Sequence, residues 1–251
     1  MQLLSTDNFS LTANKLKVIA IAFMFIDHFA SVFFPHTSIL SLSMKVFGRT
    51  VAPIMCFFIA EGYHYTSDRK KYIFRLLIFA LISHLPYNMA FGFTFFQATS
   101  VIWPLALGLI ALTAFKSEKV HLILKLFILG ICCVLSIRAN WNFVAVLWIV
   151  VFGIFHGNFM KQMIGFCIVG IVFHLSLAFY RFGFFHDFFP QWHQLGIFLA
   201  IPLLAMYNGK LGKKSKVMTW SFYVFYPGHL ILLILLNKFT PLPEFFGRWF
   251  H

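Results

Sequence analysis

Residues 17–34 read KVIAIAFMFIDHFASVFF. Apolar residues fill positions 18–26, Asp27 and His28 interrupt them, and the apolar pattern then resumes. At about 1.5 Å of rise per helical residue, Asp27 lies about 15 Å beyond Lys17, near the midplane of a hydrocarbon layer about 30 Å thick. A charge at that depth costs on the order of 3 kcal/mol on insertion scales, so it needs a partner or a watery cavity.

The surrounding chain supplies the membrane setting. Of 251 residues, 61% are apolar, 20% aromatic and 11% charged, a composition too apolar for a soluble domain. The expected fold is all-α, a polytopic transmembrane helical bundle occupying 1–251 as one integral-membrane domain. About nine spans fit, within a range of eight to ten, at approximately 15–34, 46–66, 72–93, 98–115, 120–137, 141–156, 161–180, 193–208 and 218–237. The turn SIRANWN separates the fifth and sixth by only a few residues, and the alternating strands of a barrel are missing. The first apolar run lacks a small-residue cleavage pattern after it and is expected to stay as the first span. Cys56, Cys132, Cys133 and Cys167 all lie in apolar stretches and read as small packing residues, with no metal site expected.

Positive charge sets the orientation. With the N-terminus cytoplasmic, the inner face collects Lys15, Lys17, Arg69, Lys70, Lys71, Arg75, Lys116, Lys119, Lys125, Lys161, Lys210, Lys213, Lys214 and Lys216. The outer face keeps Lys45, Arg49, Arg138, Arg181, Lys238 and Arg248, so 14 of 20 cations fall inside. The net charge of +13 then reflects anchoring to anionic lipid in a bacterial cytoplasmic membrane, and nucleic acid is not expected as a partner.

Measured from the same inner face, three more spans carry ionisable groups at similar depth. Glu61 lies about 12 Å from Arg69, His84 about 14 Å from Arg75 and His229 about 17 Å from Met218. Residues that merely glue helices together have little reason to coincide, whereas a shared polar pocket produces the pattern. Glu61, His64 and Tyr65 form an i, i+3, i+4 stripe. His84, Tyr87 and Asn88 form another around Pro86, and Tyr226, Pro227 and His229 repeat the theme in the last span. Arg49 begins the second span at its outer edge, where snorkelling explains it as well as substrate contact does. Arg75 sits about one turn inside the third span, placed for a phosphate or for simple anchoring.

IDH in the first span, FGRTVAPIMCFFIAEGYHYT followed by DRKKYIFRL, ISHLPY, and the C-terminal YNGKLGKKSK and WSFYVFYPGHLILL resemble the TraX family of integral-membrane proteins. That family is named for conjugative pilin acetylation and sits with the acyltransferase-three group of membrane acyltransferases. The resemblance runs from about residue 12 to 237 and implies transfer of an acyl group, chiefly acetyl from acetyl-CoA. The acceptor, a hydroxyl or amine on a pilin, a glycan or a lipid-linked molecule, does not transfer with it.

Acyl transfer from a thioester needs a base for the acceptor proton, and His28 is the candidate. Asp27 points about 100° away from it on a helix, so Glu61 or His229 is the better partner and Asp27 pairs elsewhere. Arg75, with Arg69, Lys70 and Lys71, suits the phosphates of coenzyme A. Arg49, His64, Tyr65, His84, Tyr87, Asn88 and Tyr226 are candidate substrate contacts. The outer loop YRFGFFHDFFPQWHQ adds Arg181, His186, Asp187 and His193 among aromatic residues that suit an interfacial belt or acceptor recognition. The alternative class is a transporter, for which midplane carboxylates, histidines and proline-broken helices are equally natural. Transporters commonly carry inverted repeats, and the two halves of this chain share no internal similarity.

Overall fold

The computed structural model describes residues 10–35, 38–175, 192–213 and 216–239. Arg181, His186, Asp187, Lys214 and Arg248 lie outside them. The described residues are helical, with two isolated backbone bridges, Leu11 with Tyr207 and Thr99 with Ala139, and no strand among them. Four helices are long and apolar enough to cross a membrane: Ala13–Phe33, Ile39–Tyr65, Arg69–Phe91 and Trp220–Phe239. Five shorter apolar helices cover Ile102–Lys116, Leu122–Leu135, Asn142–Ile154, Phe159–Leu175 and Trp192–Ala205.

In chain order the elements are α1 (Ala13–Phe33), α2 (Ile39–Gly48), α3 (Val51–Tyr65), α4 (Arg69–Phe91), α5 (Ile102–Lys116) and α6 (Leu122–Leu135). They continue with α7 (Asn142–Ile154), α8 (Phe159–Val169) leading into a π-helical turn, a 3₁₀ helix (Trp192–Leu199) continued by α9 (Ala200–Ala205), and α10 (Lys216–Phe239). Polar side chains set several starts. Thr12 accepts from the amide of Lys15 at α1, Ser38 from Ser41 at α2 and Asn158 from Lys161 at α8. The helix read from the sequence as starting near residue 46 begins at Ile39, because Ser38 provides the cap, and it is interrupted near Arg49 where α2 gives way to α3.

Two compact units form. One contains residues 55–85 and 94–175 and is centred on α7, whose Val144, Ala145, Val146, Trp148, Ile149, Phe152 and Gly153 are all buried. A helix apolar on every side belongs at the centre of a bundle, and α5 packs closely on it where Gly108 meets Ile149 and Gly153 meets Leu112. By contrast α6 buries only Cys132 and leaves Ile123, Leu126, Phe127 and Val134 exposed, as a lipid-facing helix does.

The other unit contains residues 10–54, 86–93, 192–213 and 216–239 among those described. Here α1 packs against α2 and α10, with Phe33, Phe34 and Leu233 in one apolar cluster. The crossing of α1 and α2 requires Gly48: a Cβ there would overlap the side chain of Asp27. On its other side α2 meets the 3₁₀ helix, where a Cβ at Gly196 would overlap the carbonyl of Val46. Two small residues thus bring backbones close enough to seat α2, as in other membrane helix packings. The helix α4 runs through both units, divided at Pro86.

Candidate functional site

In the second unit His28 of α1 and His229 of α10 meet. Nδ1 of His28 lies 2.7 Å from Nε2 of His229, with the rings stacked at 5.0 Å and 14°. Their residual exposures are 6% and 4%, so the contact is shut away from the outside. Nδ1 of His229 is 2.8 Å from the carbonyl of Phe225, one turn back in the same helix. That carbonyl can only accept, so Nδ1 of His229 carries the proton and its Nε2 is left with a lone pair. In the neutral pair Nδ1 of His28 is then the donor, and Nε2 of His28 is unprotonated. Phe91 sets its ring edge-on to His28 at 5.1 Å and Tyr226 at 6.2 Å, and Phe225 stacks on His229 at 4.8 Å, fixing both imidazoles in an aromatic box.

Asp27 turns the other way, as expected of the neighbouring helical position, and lies against α2. Its Oδ1 is buried and makes no hydrogen bond, and it interacts electrostatically with Arg49 and Lys45. Arg49 also acts on His28, and both Arg49 and Asp27 act on Tyr87. Tyr87 and Asn88 are 6% and 2% exposed, and Lys45 is 8% exposed. Lys45 was not anticipated as a site residue. It was counted as an outer-face charge, although its i−4 spacing from Arg49 marks a common helical face.

In the first unit Glu61 pairs with His156, Nε2 to Oε1 at 3.1 Å, just past the end of α7. His64 stacks on His156 at 3.8 Å and 17°, and its Nε2 is 3.2 Å from the carbonyl of Gly153. Glu61 is four residues from the end of α3, because residues 66–68 leave the helix. His156 was overlooked because nothing in local spacing links a histidine after one helix to a glutamate in another.

His84 is half-buried and bonds through Nε2 to the carbonyl of Phe95, 2.7 Å away in the segment after α4. Arg69, Lys70 and Lys71 are exposed on the first turn of α4, which Asp68 caps through the amide of Lys71. Arg69 lies over the ring of Tyr63 at 4.3 Å and the half-buried Arg75 over that of Tyr72 at 5.5 Å. Tyr65 is exposed, and His193 is buried.

Apolar helices of spanning length, together with a hydrogen-bonded histidine pair closed inside them, define a helical membrane protein with an internal polar site. The chain belongs to the TraX family: the family model described as TraX protein matches residues 12–237, as the sequence motifs implied. It is 27% identical over 241 residues to the "Probable fimbrial assembly protein FimC, serogroup H1" of Dichelobacter nodosus, covering 92% of this chain and 98% of that relative. No solved structure matches.

The paired histidines predict a thermodynamic coupling. Replacing either one by Leu strands a buried polar group on the other, costing about 1–3 kcal/mol, while replacing both leaves nothing stranded. Chemical unfolding of the detergent-solubilised protein will therefore find the double variant less destabilised than the sum of the single ones by more than about 0.5 kcal/mol. Additive losses would mean that the two rings do not bond.

Proposed function

We propose that this TraX-family chain is a membrane-bound acetyltransferase, moving an acetyl group from acetyl-CoA to a hydroxyl or amine at or across the membrane. The observation that carries the reading is the buried relay from Nε2 of His28, through His229, to the carbonyl of Phe225. A protonated acceptor is a poor nucleophile at neutral pH, and Nε2 of His28 is the atom that takes its proton. As His28 becomes an imidazolium, its Nδ1–H bond to Nε2 of His229 strengthens, and the Nδ1–H of His229 passes that polarisation to the carbonyl. His229 therefore acts on His28 as a carboxylate acts on a triad histidine, fixing the tautomer and stabilising the charge. The donor supplies an activated acyl carbon: the acceptor bonds to it, the thioester C–S bond breaks, and the departing coenzyme A thiolate takes the proton held on Nε2 of His28. The exposed cations at the start of α4, at the positive end of a 23-residue helix, and Arg75 fit its phosphates.

We read the four long and five shorter apolar helices as nine passes through a bacterial cytoplasmic membrane, N-terminus inside, which sets the α4 cations on the side where acetyl-CoA is made. Family membership favours acyl chemistry, and the fimbrial-assembly name of the relative favours a pilin subunit, or a glycan or lipid-linked molecule on the way to one, as acceptor.

Two experiments test this. Purified protein given labelled acetyl-CoA and membrane extract is expected to move label onto an extract component, and His28→Ala to lower that rate roughly 10²- to 10⁴-fold while still purifying as a monodisperse species. Uptake of the labelled compound into vesicles without covalent transfer would instead support a transporter. For orientation, Ser67→Cys in the segment between α3 and α4 is expected to stay unlabelled by an impermeant thiol reagent in intact cells and to label after permeabilisation; ready labelling in intact cells would invert the topology.

A further inference from the structure

The cluster at the ends of α3, α5 and α7 plays no part in the histidine relay. Lys116 at the end of α5 reaches the carbonyl of Ile154 at 3.5 Å, and Glu61 at the end of α3 reaches His156, so the three helix ends converge. The two hydrogen bonds at the imidazoles fix their tautomers. With Glu61 ionised, its carboxylate accepts from Nε2–H of His156, and the carbonyl of Gly153 accepts from Nε2–H of His64. Each neutral ring is left with an unprotonated Nδ1, and because the rings lie one over the other the two acceptors belong to one rigid stack. His156 is 27% exposed at its side chain, and Tyr65 beside it, edge-on at 6.1 Å, is 69% exposed.

Around this stack the charge is positive. Lys116 acts electrostatically on both histidines and Arg69 on His64, and the side chains of both cations are exposed. Glu61 is buried and committed to His156. A ligand suited to such a cup donates N–H groups to ring nitrogens, offers a flat face to Tyr65 and brings negative charge to Lys116 and Arg69. An ammonium-bearing ligand meets the wrong charge, and a simple carboxylate has no donor for the imidazoles. The exocyclic amine, purine ring and phosphates of an adenine nucleotide satisfy all three requirements.

We infer that the Glu61–His156–His64 cup, with Tyr65, Lys116 and Arg69, binds the adenine-nucleotide end of the acyl donor. The assignment rests on the acyl-CoA reading for its biological meaning, but nucleotide binding is measurable without any transfer. Glu61 in this arrangement is a positioning residue: it holds His156 with Nδ1 free to accept.

The test is calorimetric titration of the purified full-length protein with adenosine 3′,5′-bisphosphate alone. Wild-type protein is expected to bind it saturably, and Lys116→Ala, which removes an exposed side chain, to weaken binding roughly 10- to 100-fold. His156→Asn is expected to weaken binding about fivefold or more, and AMP to bind better than IMP, which lacks the exocyclic amine, by a similar factor. Absence of binding to wild type, a Lys116→Ala titration matching wild type, or equal affinity for AMP and IMP overturns the inference. Nucleotide binding with these sensitivities in a protein that transfers no label would uphold the cup and reject the acetyltransferase reading. Label transfer with a Lys116→Ala affinity unchanged would do the reverse.

Discussion

The hydrogen bond between His28 and His229 joins the first helix to the last described one across 201 positions of sequence. Inside an apolar bundle an imidazole without a partner leaves a donor and an acceptor stripped of water, at a cost comparable to a substantial share of a domain's net stability. The pair removes that cost for three of the four ring nitrogens at once, with the carbonyl of Phe225 as the terminal acceptor. It also determines which atom stays reactive. Because the chain of donors ends at the carbonyl of Phe225, the nitrogen left unprotonated at its other end is Nε2 of His28.

The charges on α2 depend on a second close approach. Only a glycine at position 48 lets α2 cross α1 at Asp27, and that crossing brings Lys45 and Arg49 within electrostatic reach of the carboxylate. Arg49 also acts on His28, so this imidazole lies in a field set by a helix it does not belong to. Asp27 and His28 are thus divided between two neighbours, α2 for the carboxylate and α10 for the imidazole. Adjacent positions on a helix point about 100° apart, and the two side chains have separate uses for that reason.

Much of this was legible in the chain. Apolar run length located the helices, within a few residues for most of them, because twenty or so apolar residues between charged clusters leave little freedom. His229 was singled out through its depth and its proline, and its partnership with His28 was one of two expected. The misjudged features share a cause, which is that helix ends are poorly encoded. The helical rise applied between Glu61 and Arg69 does not hold at residues 66–68, where the chain leaves the helix. His156, two residues beyond α7 and the last residue of the expected span 141–156, carried no spacing to a partner. Lys45 was read as a boundary charge because α2 starts earlier than the apolar pattern alone suggests, which draws Lys45 into the packed face against α1.

The central claim is that Nε2 of His28 is the free base. Solution or solid-state NMR of protein labelled with ¹⁵N-histidine, with the His28 signals assigned by their loss in His28→Gln, reads the proton position directly. The account predicts that near neutral pH His28 is the Nδ1–H tautomer, with an unprotonated Nε2, and that His229→Asn disturbs this signal. A His28 ring carrying its proton on Nε2 in the wild-type protein would contradict the relay and remove His28 from the role of base.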